Sequence, residues 1–289
     1  MKRTGIALLL ALVGSASVHA QSVDFSKVQK TTKSDSIAKV VLENARYIAT
    51  YDYQYTKDPA FPEDKRNGLT MLQVGKRYSR FMDYNEFRFD SLMDVTAKES
   101  KSYAETGPMM IGALRRSKFK ENIIIDHNSG KTTVQRTAGL SQKYQYEEEN
   151  ATLKWELTEG DTLINGYSCK KATVRAWGRD YIAWYAPDID LPYGPYKFSG
   201  LPGLIFQVRD TDDHYCFSLS GLEQVSHYSP IYLWTSKEII KTTRDKVRRI
   251  YKNYCADPVG SLTSNGDIQV SADVKASVNP KPYNPIELE

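Results

Sequence analysis

The side chains that could do chemistry are scattered along this 289-residue chain. Asp210-Thr211-Asp212-Asp213-His214 places carboxylates and an imidazole in one short run, the ligand types a cation takes. The spacing fails the calcium-loop pattern, which needs a glycine at its sixth position and a distant glutamate. A solvated hairpin turn is therefore expected there, and no metal is assigned. Arg179 beside Asp180 could be a catalytic pair, although a cross-strand ion pair is the expected role. His127 precedes Asn128-Ser129-Gly130 and reads as a turn residue. GxSxG, HExxH and a phosphate-binding loop are absent. A Ser–His–Asp triad can assemble from distant positions, but no spacing here points to one. The expectation is a protein that is not an enzyme and has no cofactor, with an uncharacterised hydrolase as an alternative. Cys169, Cys216 and Cys255 make an odd count, read either as one bridge and one thiol or as three buried thiols. Without a CxxC pair or a histidine at ligand spacing, zinc is disfavoured.

The most unusual stretch runs from Pro187 to Gly203. It holds four of the twelve prolines and three glycines. Proline removes backbone donors and fixes φ, while glycine admits positive φ, so this is neither helix nor central strand. Leu191, Tyr193, Tyr196, Phe198 and Leu201 need burial or a partner. A rigid, shaped loop is expected. It would either be a covered crossover closing one end of a sheet or present a preformed aromatic site for a ligand or protein.

The elements that must position these residues are mostly strands. Tyr51, Tyr53 and Tyr55 alternate with Asp52, Gln54 and Thr56. Tyr144 and Tyr146, Leu153 to Leu157, Tyr181 to Tyr185 and Tyr215 to Leu219 repeat the period of two. Alternation puts successive side chains on opposite sheet faces. Asn128-Ser129-Gly130, Asn165-Gly166, Gly178 and Thr211-Asp212-Asp213 supply turns, so antiparallel hairpins follow. Two helices are expected. One is capped by Ser34 or Ser36 and runs to about Tyr47. The other starts near Ser236, with Ile239, Thr243, Val247, Ile250 and Tyr254 along one face. The fold class read from this is mainly β: a curved antiparallel sheet or open half-barrel with one or two flanking helices. Residues 21–255 form one domain, and 256–289 are a polar tail expected to be disordered.

Residues 1–20 read as a secretory signal peptide: a basic start at Lys2 and Arg3, a short apolar run from Ile6 to Val13, and Val18-His19-Ala20 at the cleavage point. Cleavage after Ala20 would make the protein periplasmic or secreted. It would leave 37 basic against 35 acidic residues, a near-neutral balance that disfavours nucleic acid as a partner. No apolar run approaches the ~20 residues of a membrane-spanning helix. An outer-membrane barrel is disfavoured because both strand faces carry charge.

Gly200-Leu201-Pro202-Gly203-Leu204-Ile205 spells GLPGLI, and in this the chain resembles the GLPGLI family of secreted bacterial proteins. Gly166-Tyr167-Ser168-Cys169-Lys170-Lys171-Ala172, Gly178-Arg179-Asp180-Tyr181-Ile182-Ala183-Trp184-Tyr185 and Gly194-Pro195-Tyr196-Lys197-Phe198 are similar to further segments of that family. The likeness is strongest from Trp155 to Leu222. It implies a periplasmic or outer-membrane-associated protein of a Gram-negative lineage, often linked to uptake of the TonB-dependent kind, with activity unassigned. The strand pattern is also distantly similar to the LolA/LolB half-barrel, which shelters an acyl chain; this is analogy of fold alone. Two readings result. One is a carrier binding a lipid or other apolar or amphiphilic ligand in a curved sheet, with Arg179, Tyr181, Trp184, Tyr193, Tyr196 and Phe198 at the site and an enclosed cavity of several hundred Å3. The other is a protein-interaction accessory of an outer-membrane transporter, with a filled core and an exposed aromatic patch.

Overall fold

In chain order the elements are β1 (Lys39–Asn44), β2 (Tyr47–Thr56), β3 (Lys65–Val74), β4 (Tyr78–Asp83), α1 (Tyr84–Lys98), α2 (Tyr103–Arg116), β5 (Glu121–Asp126), β6 (Lys131–Thr137), β7 (Lys143–Glu149), β8 (Glu156–Ile164), β9 (Tyr167–Ala176), β10 (Arg179–Ala186), β11 (Leu204–Asp210), β12 (Tyr215–Gln224), β13 (Pro230–Trp234), β14 (Ile240–Lys241), α3 (Arg244–Ala256) and α4 (Pro258–Thr263). The computed structural model describes residues 36–289 apart from 102, 140–141, 264–270, 272 and 274–276. The signal-like segment 1–20 lies outside the described residues.

Two antiparallel meanders, β2 to β7 and β8 to β12, join along β2 and β12. With β14 added parallel to β7, they make one twelve-stranded open sheet whose margins are β14 and β8. The expectation of a mainly β, curved antiparallel sheet holds. The second meander covers the span that carries the family resemblance. Its expected turns close it: Asn165-Gly166 and Trp177-Gly178 all have positive φ, the geometry of tight hairpins.

β7 and β10 stand eight positions apart in the strand order, roughly 38 Å across a flat sheet at about 4.8 Å per strand. Yet Tyr146 of β7 and Tyr181 of β10 belong to one buried cluster, and Lys197 of the loop after β10 lies 2.5 Å from Glu148 of β7. The sheet curls so that its two halves share one inner face. That face carries the main core, including Tyr51, Phe81, Ile123, Val134, Tyr181, Phe206 and Phe217. The β2 alternation sends its tyrosines inward, and register places Tyr53 opposite Phe217 and Tyr55 opposite Tyr215.

The outer face of the first meander carries a polar ladder. Arg80 Nε donates to Asn122 at 2.7 Å, Asn122 Nδ2 to Gln135 at 3.0 Å, and Gln135 Nε2 to Gln145 at 2.9 Å. The ladder docks the β1–β13 ribbon. Gln73 donates to Ser229 Oγ at 2.8 Å and Gln135 to the Trp234 carbonyl at 2.8 Å. The Arg80 guanidinium packs 3.6 Å from the centre of the Tyr232 ring.

Several expectations are corrected. The segment expected to be a helix from Ser34 or Ser36 to Tyr47 contains β1, because β-branched Val40 and Val41 pair with Leu233 and Tyr232. The second helix begins at Arg244, not near Ser236. Thr243 is its cap, accepting from the Lys246 amide, and Ile240–Lys241 is a strand. Helices α1 and α2 come in addition to those expected. The buried face of α1 includes Asn85, Asp90 and Thr96, so no apolar stripe announces it. The region expected to be a disordered tail ends in ordered, buried chain: Asn284, Pro285, Ile286 and Glu287 all lie inside the fold.

Candidate functional site

A cleft of about 240 Å3 opens on the inner face where the seam, α3 and the C-terminal segment meet. Strand β2 supplies Tyr53 and Tyr55, β12 supplies Tyr215, and α3 supplies Tyr251, Tyr254 and Cys255. Tyr53 and Tyr55 stack at 5.0 Å between centroids with planes 13° apart, and Tyr55 lies 6.5 Å from Tyr215 at 17°. Tyr53 and Tyr55 share one face of β2 at i and i+2, and Tyr215 lies directly opposite Tyr55 on β12. Burial raises the Tyr215 and Tyr55 phenols above their ordinary range and pushes Tyr251 up to about 12. These hydroxyls stay neutral.

Charge enters the cleft from four separate parts of the chain. Glu121 of β5 and Arg136 of β6 are register partners and form an ion pair. Each keeps one buried atom without a hydrogen bond among the described residues, Glu121 Oε2 and Arg136 Nε. Burial raises the Glu121 carboxyl against the pull of Arg136. The Tyr251 ring covers the Arg136 guanidinium at 4.5 Å. Lys118 and Lys120 come from the turn before β5, Lys57 from the end of β2 and Lys281 from the C-terminal segment. The Lys118 ammonium donates to the Arg115 carbonyl and the Lys120 ammonium to the Ser117 carbonyl and hydroxyl, and Lys281 bonds the Tyr254 hydroxyl. Among the described residues, none of these four lysines has a carboxylate partner, and Glu121 is the one acidic side chain lining the cleft.

The residues singled out from sequence divide into groups. Arg179, Tyr181 and Tyr196 converge on the C-terminal segment. Arg179 donates to the Ile286 carbonyl at 3.1 Å, the Pro285 carbonyl at 2.8 Å and Asn284 Oδ1 at 2.6 Å. Tyr181 donates to the Ile286 carbonyl at 3.2 Å, and Tyr196 to Glu287 at 2.6 Å. Phe198 is buried among Trp177, Tyr181 and Tyr196. All four are interior groups, and Arg179, Tyr181 and Tyr196 hold the C-terminal segment. Tyr193 sits apart, half-buried and 4.8 Å from His127. Trp184 is half-buried on the other side of β10. They do not form one pocket.

The GLPGLI run is a structural turn. Leu201, Leu204 and Ile205 are buried and Pro202 is exposed. The Ile205 carbonyl accepts from the Tyr51 hydroxyl at 2.8 Å, and its amide donates to the Tyr193 carbonyl at 2.9 Å. Gly200 has φ +91° and Gly203 φ +141°, and a Cβ on Gly203 would lie 2.1 Å from the Ala186 carbonyl oxygen.

Arg179 pairs with Asp210 at 2.8 Å, not with Asp180, which binds Arg175 at 3.0 Å. The same guanidinium lies 3.2 Å from His214 Nδ1. Asp210, Asp212 and His214 bring ligand atoms within 4.8 Å of one another, but Arg179 already supplies positive charge there. His127 Nε2 lies 3.1 Å from Ser79 Oγ, yet Ser79 is buried. Asp126, next to His127, is bound by Arg77 at 2.6 Å. No serine–histidine–acid relay results. Reading the sequence missed the cleft, because its cations come from four separate segments and meet only once the sheet curls.

No family model matches the chain, and no curated protein matches it. Among solved structures, PNGF-II in two crystal forms aligns with TM-scores of 0.46 and 0.44, at 11% and 10% identity, over 71% and 72% of this chain. The chain spans about a third of PNGF-II, 32% and 33% of its length in the two forms. An uncharacterised conserved protein from Thermus thermophilus aligns with a TM-score of 0.33 at 8% identity, over 68% of this chain and 90% of that one. Likenesses at this level carry no argument about function.

Proposed function

We propose that this chain is an exported, non-enzymatic binding protein that takes an amphiphilic ligand into the inner-face cleft of its curved sheet. The observation that supports this reading is the cleft itself, which is walled by stacked tyrosines and rimmed by unpaired cations. Its size sets the scale of the ligand. At about 240 Å3 it is smaller than a typical drug-sized pocket of ~300–1,000 Å3. A whole lipid does not fit; a small amphiphile or the head of a larger one does. Export rests on the signal-like residues 1–20 and on the resemblance to secreted GLPGLI proteins.

The test is native mass spectrometry of the mature protein purified from its own host, followed by denaturing mass spectrometry. An added mass that leaves on unfolding is expected, together with a chain starting at Gln21. A ligand-free mass under gentle conditions, with no small amphiphile binding on titration, overturns the binding reading. A chain that retains residues 1–20 overturns cleavage.

A second reading, an accessory that docks on an outer-membrane uptake transporter, has one observation in its favour. β8 is an open margin of the sheet and exposes Leu157 at 63% and Leu163 at 75%. Exposed apolar residues on an unpaired edge suit strand addition by a partner. Cross-linking from position 163 to an outer-membrane protein would favour it over the carrier reading.

A further inference from the structure

We propose that the cleft selects a small aromatic anion, its ring against the half-buried Tyr55 and its anionic group among Lys57, Lys118, Lys120 and Lys281. The inference rests on the binding reading above and names the ligand class. Four observations carry it.

The first is volume. A 150 Å3 apolar cavity holds benzene. The observed cleft of about 240 Å3 therefore has room for one ring with a short charged substituent. The second is the wall. Tyr55 is the less buried end of a stack whose inner members, Tyr53 and Tyr215, are each 6% exposed. Offset stacking on such a ring is favourable beyond area burial.

The third is charge. The four lysines have no carboxylate partner among the described residues. What sets these four apart is that they converge on one mouth, where Glu121 is the one acidic side chain in the lining. Ammonium groups collected at the rim of a low-dielectric cleft focus potential on an entering anion. The fourth is the floor. Glu121 Oε2 and Arg136 Nε form an unmatched acceptor and donor pair, buried and without partners among the described residues. Arg136 Nε can donate to a ligand oxygen.

The experiment is calorimetric titration of the full mature chain at pH 7 with phenylacetate, 2-phenylethanol, 2-phenylethylamine and inorganic phosphate. These probes separate ring from charge. Phenylacetate is expected to bind at least tenfold more tightly than the alcohol, the amine or phosphate, and to weaken as salt rises from 20 to 500 mM, because exposed charges are screened. The triple variant Lys57→Gln, Lys118→Gln, Lys120→Gln is expected to bring phenylacetate down to the affinity of the alcohol, with its melting temperature unchanged, since these side chains are exposed. Lys281→Gln is the second variant, expected to give a smaller loss.

Equal affinity for phenylacetate, the alcohol and the amine overturns the anion selection while leaving the binding reading in place. Phosphate binding as tightly as phenylacetate overturns the aromatic part. A triple variant that folds and keeps the full preference overturns the role of the lysines. No binding by any probe overturns this inference and, with a ligand-free native mass, the binding reading as well.

Discussion

Lys197 and Glu287 form an ion pair at 2.7 Å across ninety residues of chain. Glu287 also accepts from Tyr196 at 2.6 Å and from Arg244 at 2.7 Å. One carboxylate thus ties the proline-rich loop, helix α3 and the C-terminal segment together. Glu287→Ala leaves the buried Lys197 ammonium with Glu148 as its remaining carboxylate, at 2.5 Å. Stripping a buried charge of every partner costs about 3–5 kcal/mol. Urea denaturation of the variant is expected to show a smaller loss than that, about 1–3 kcal/mol, with the native far-UV spectrum retained at low denaturant.

The same group makes stability depend on pH. Burial pushes the Glu287 carboxyl up, but Lys197 and Arg244 outweigh it and hold the group at about 2. Unfolded, a glutamate titrates near ~4.3. A folded value below the unfolded one gives stability that is complete above ~4.3 and is lost as pH falls toward 2. The stability gap between the native sequence and Glu287→Gln is therefore expected to be widest at pH 6 and to narrow at pH 3. Urea midpoints at both pH values check this, and a constant gap contradicts it.

Gly203 and Gly200 are expected to behave differently, although both have positive φ. At Gly203 a new Cβ meets the Ala186 carbonyl oxygen at 2.1 Å, whereas at Gly200 nothing lies within 4 Å. Gly200→Ala adds only backbone strain, about 1–2 kcal/mol. Gly203→Val adds a backbone clash and is expected to cost more than about 4 kcal/mol or to prevent folding. Similar melting temperatures for the two variants would contradict the steric argument.

Cys169, Cys216 and Cys255 are all free thiols. Thiol titration of the unreduced protein in denaturant is expected to find three per chain. Without denaturant the reaction is slow, because Cys169 and Cys255 are buried and burial raises all three thiols above their ordinary range. A count of one signals a disulfide.

Calcium, zinc and chelators are expected to leave the melting temperature unchanged, because the Arg179 guanidinium occupies the space between Asp210 and His214. A cation at a hundred times its dissociation constant would add about 2.7 kcal/mol, so a clear upward shift with either metal overturns this.

The sheet was legible because its signal is local. Tyr51-Asp52-Tyr53-Gln54-Tyr55 states its own period, and Asn165-Gly166 states its own turn. Helix α1 was not legible, because buried Asp90 accepts from the Tyr232 hydroxyl and the Trp234 indole, each at 2.7 Å, where an apolar stripe would have shown the helix. The C-terminal segment was misread for a related reason. Asn284 and Glu287 look like solvent-facing residues until Thr56, Arg179 and Lys197 supply their partners. Of the loop aromatics, Tyr196 and Phe198 need burial as read, but the chain's own end and core provide it. The cleft depends on positions from Lys57 to Lys281, and no local pattern encodes such a meeting.

The seam between β2 and β12 also sets an order of events as the chain folds. Every strand of the first meander can pair with its sequence neighbour as soon as it exists, but the second side of β2 waits for β12. Asn284 reaches the Thr56 carbonyl across 228 positions. Long-range closure costs chain entropy before any contact rewards it, and such topologies fold slowly. In the interval the first meander presents an open edge lined by Tyr51, Tyr53 and Tyr55, a template for pairing with the wrong chain. The risk of aggregation is therefore concentrated at the strand that later forms the centre of the molecule.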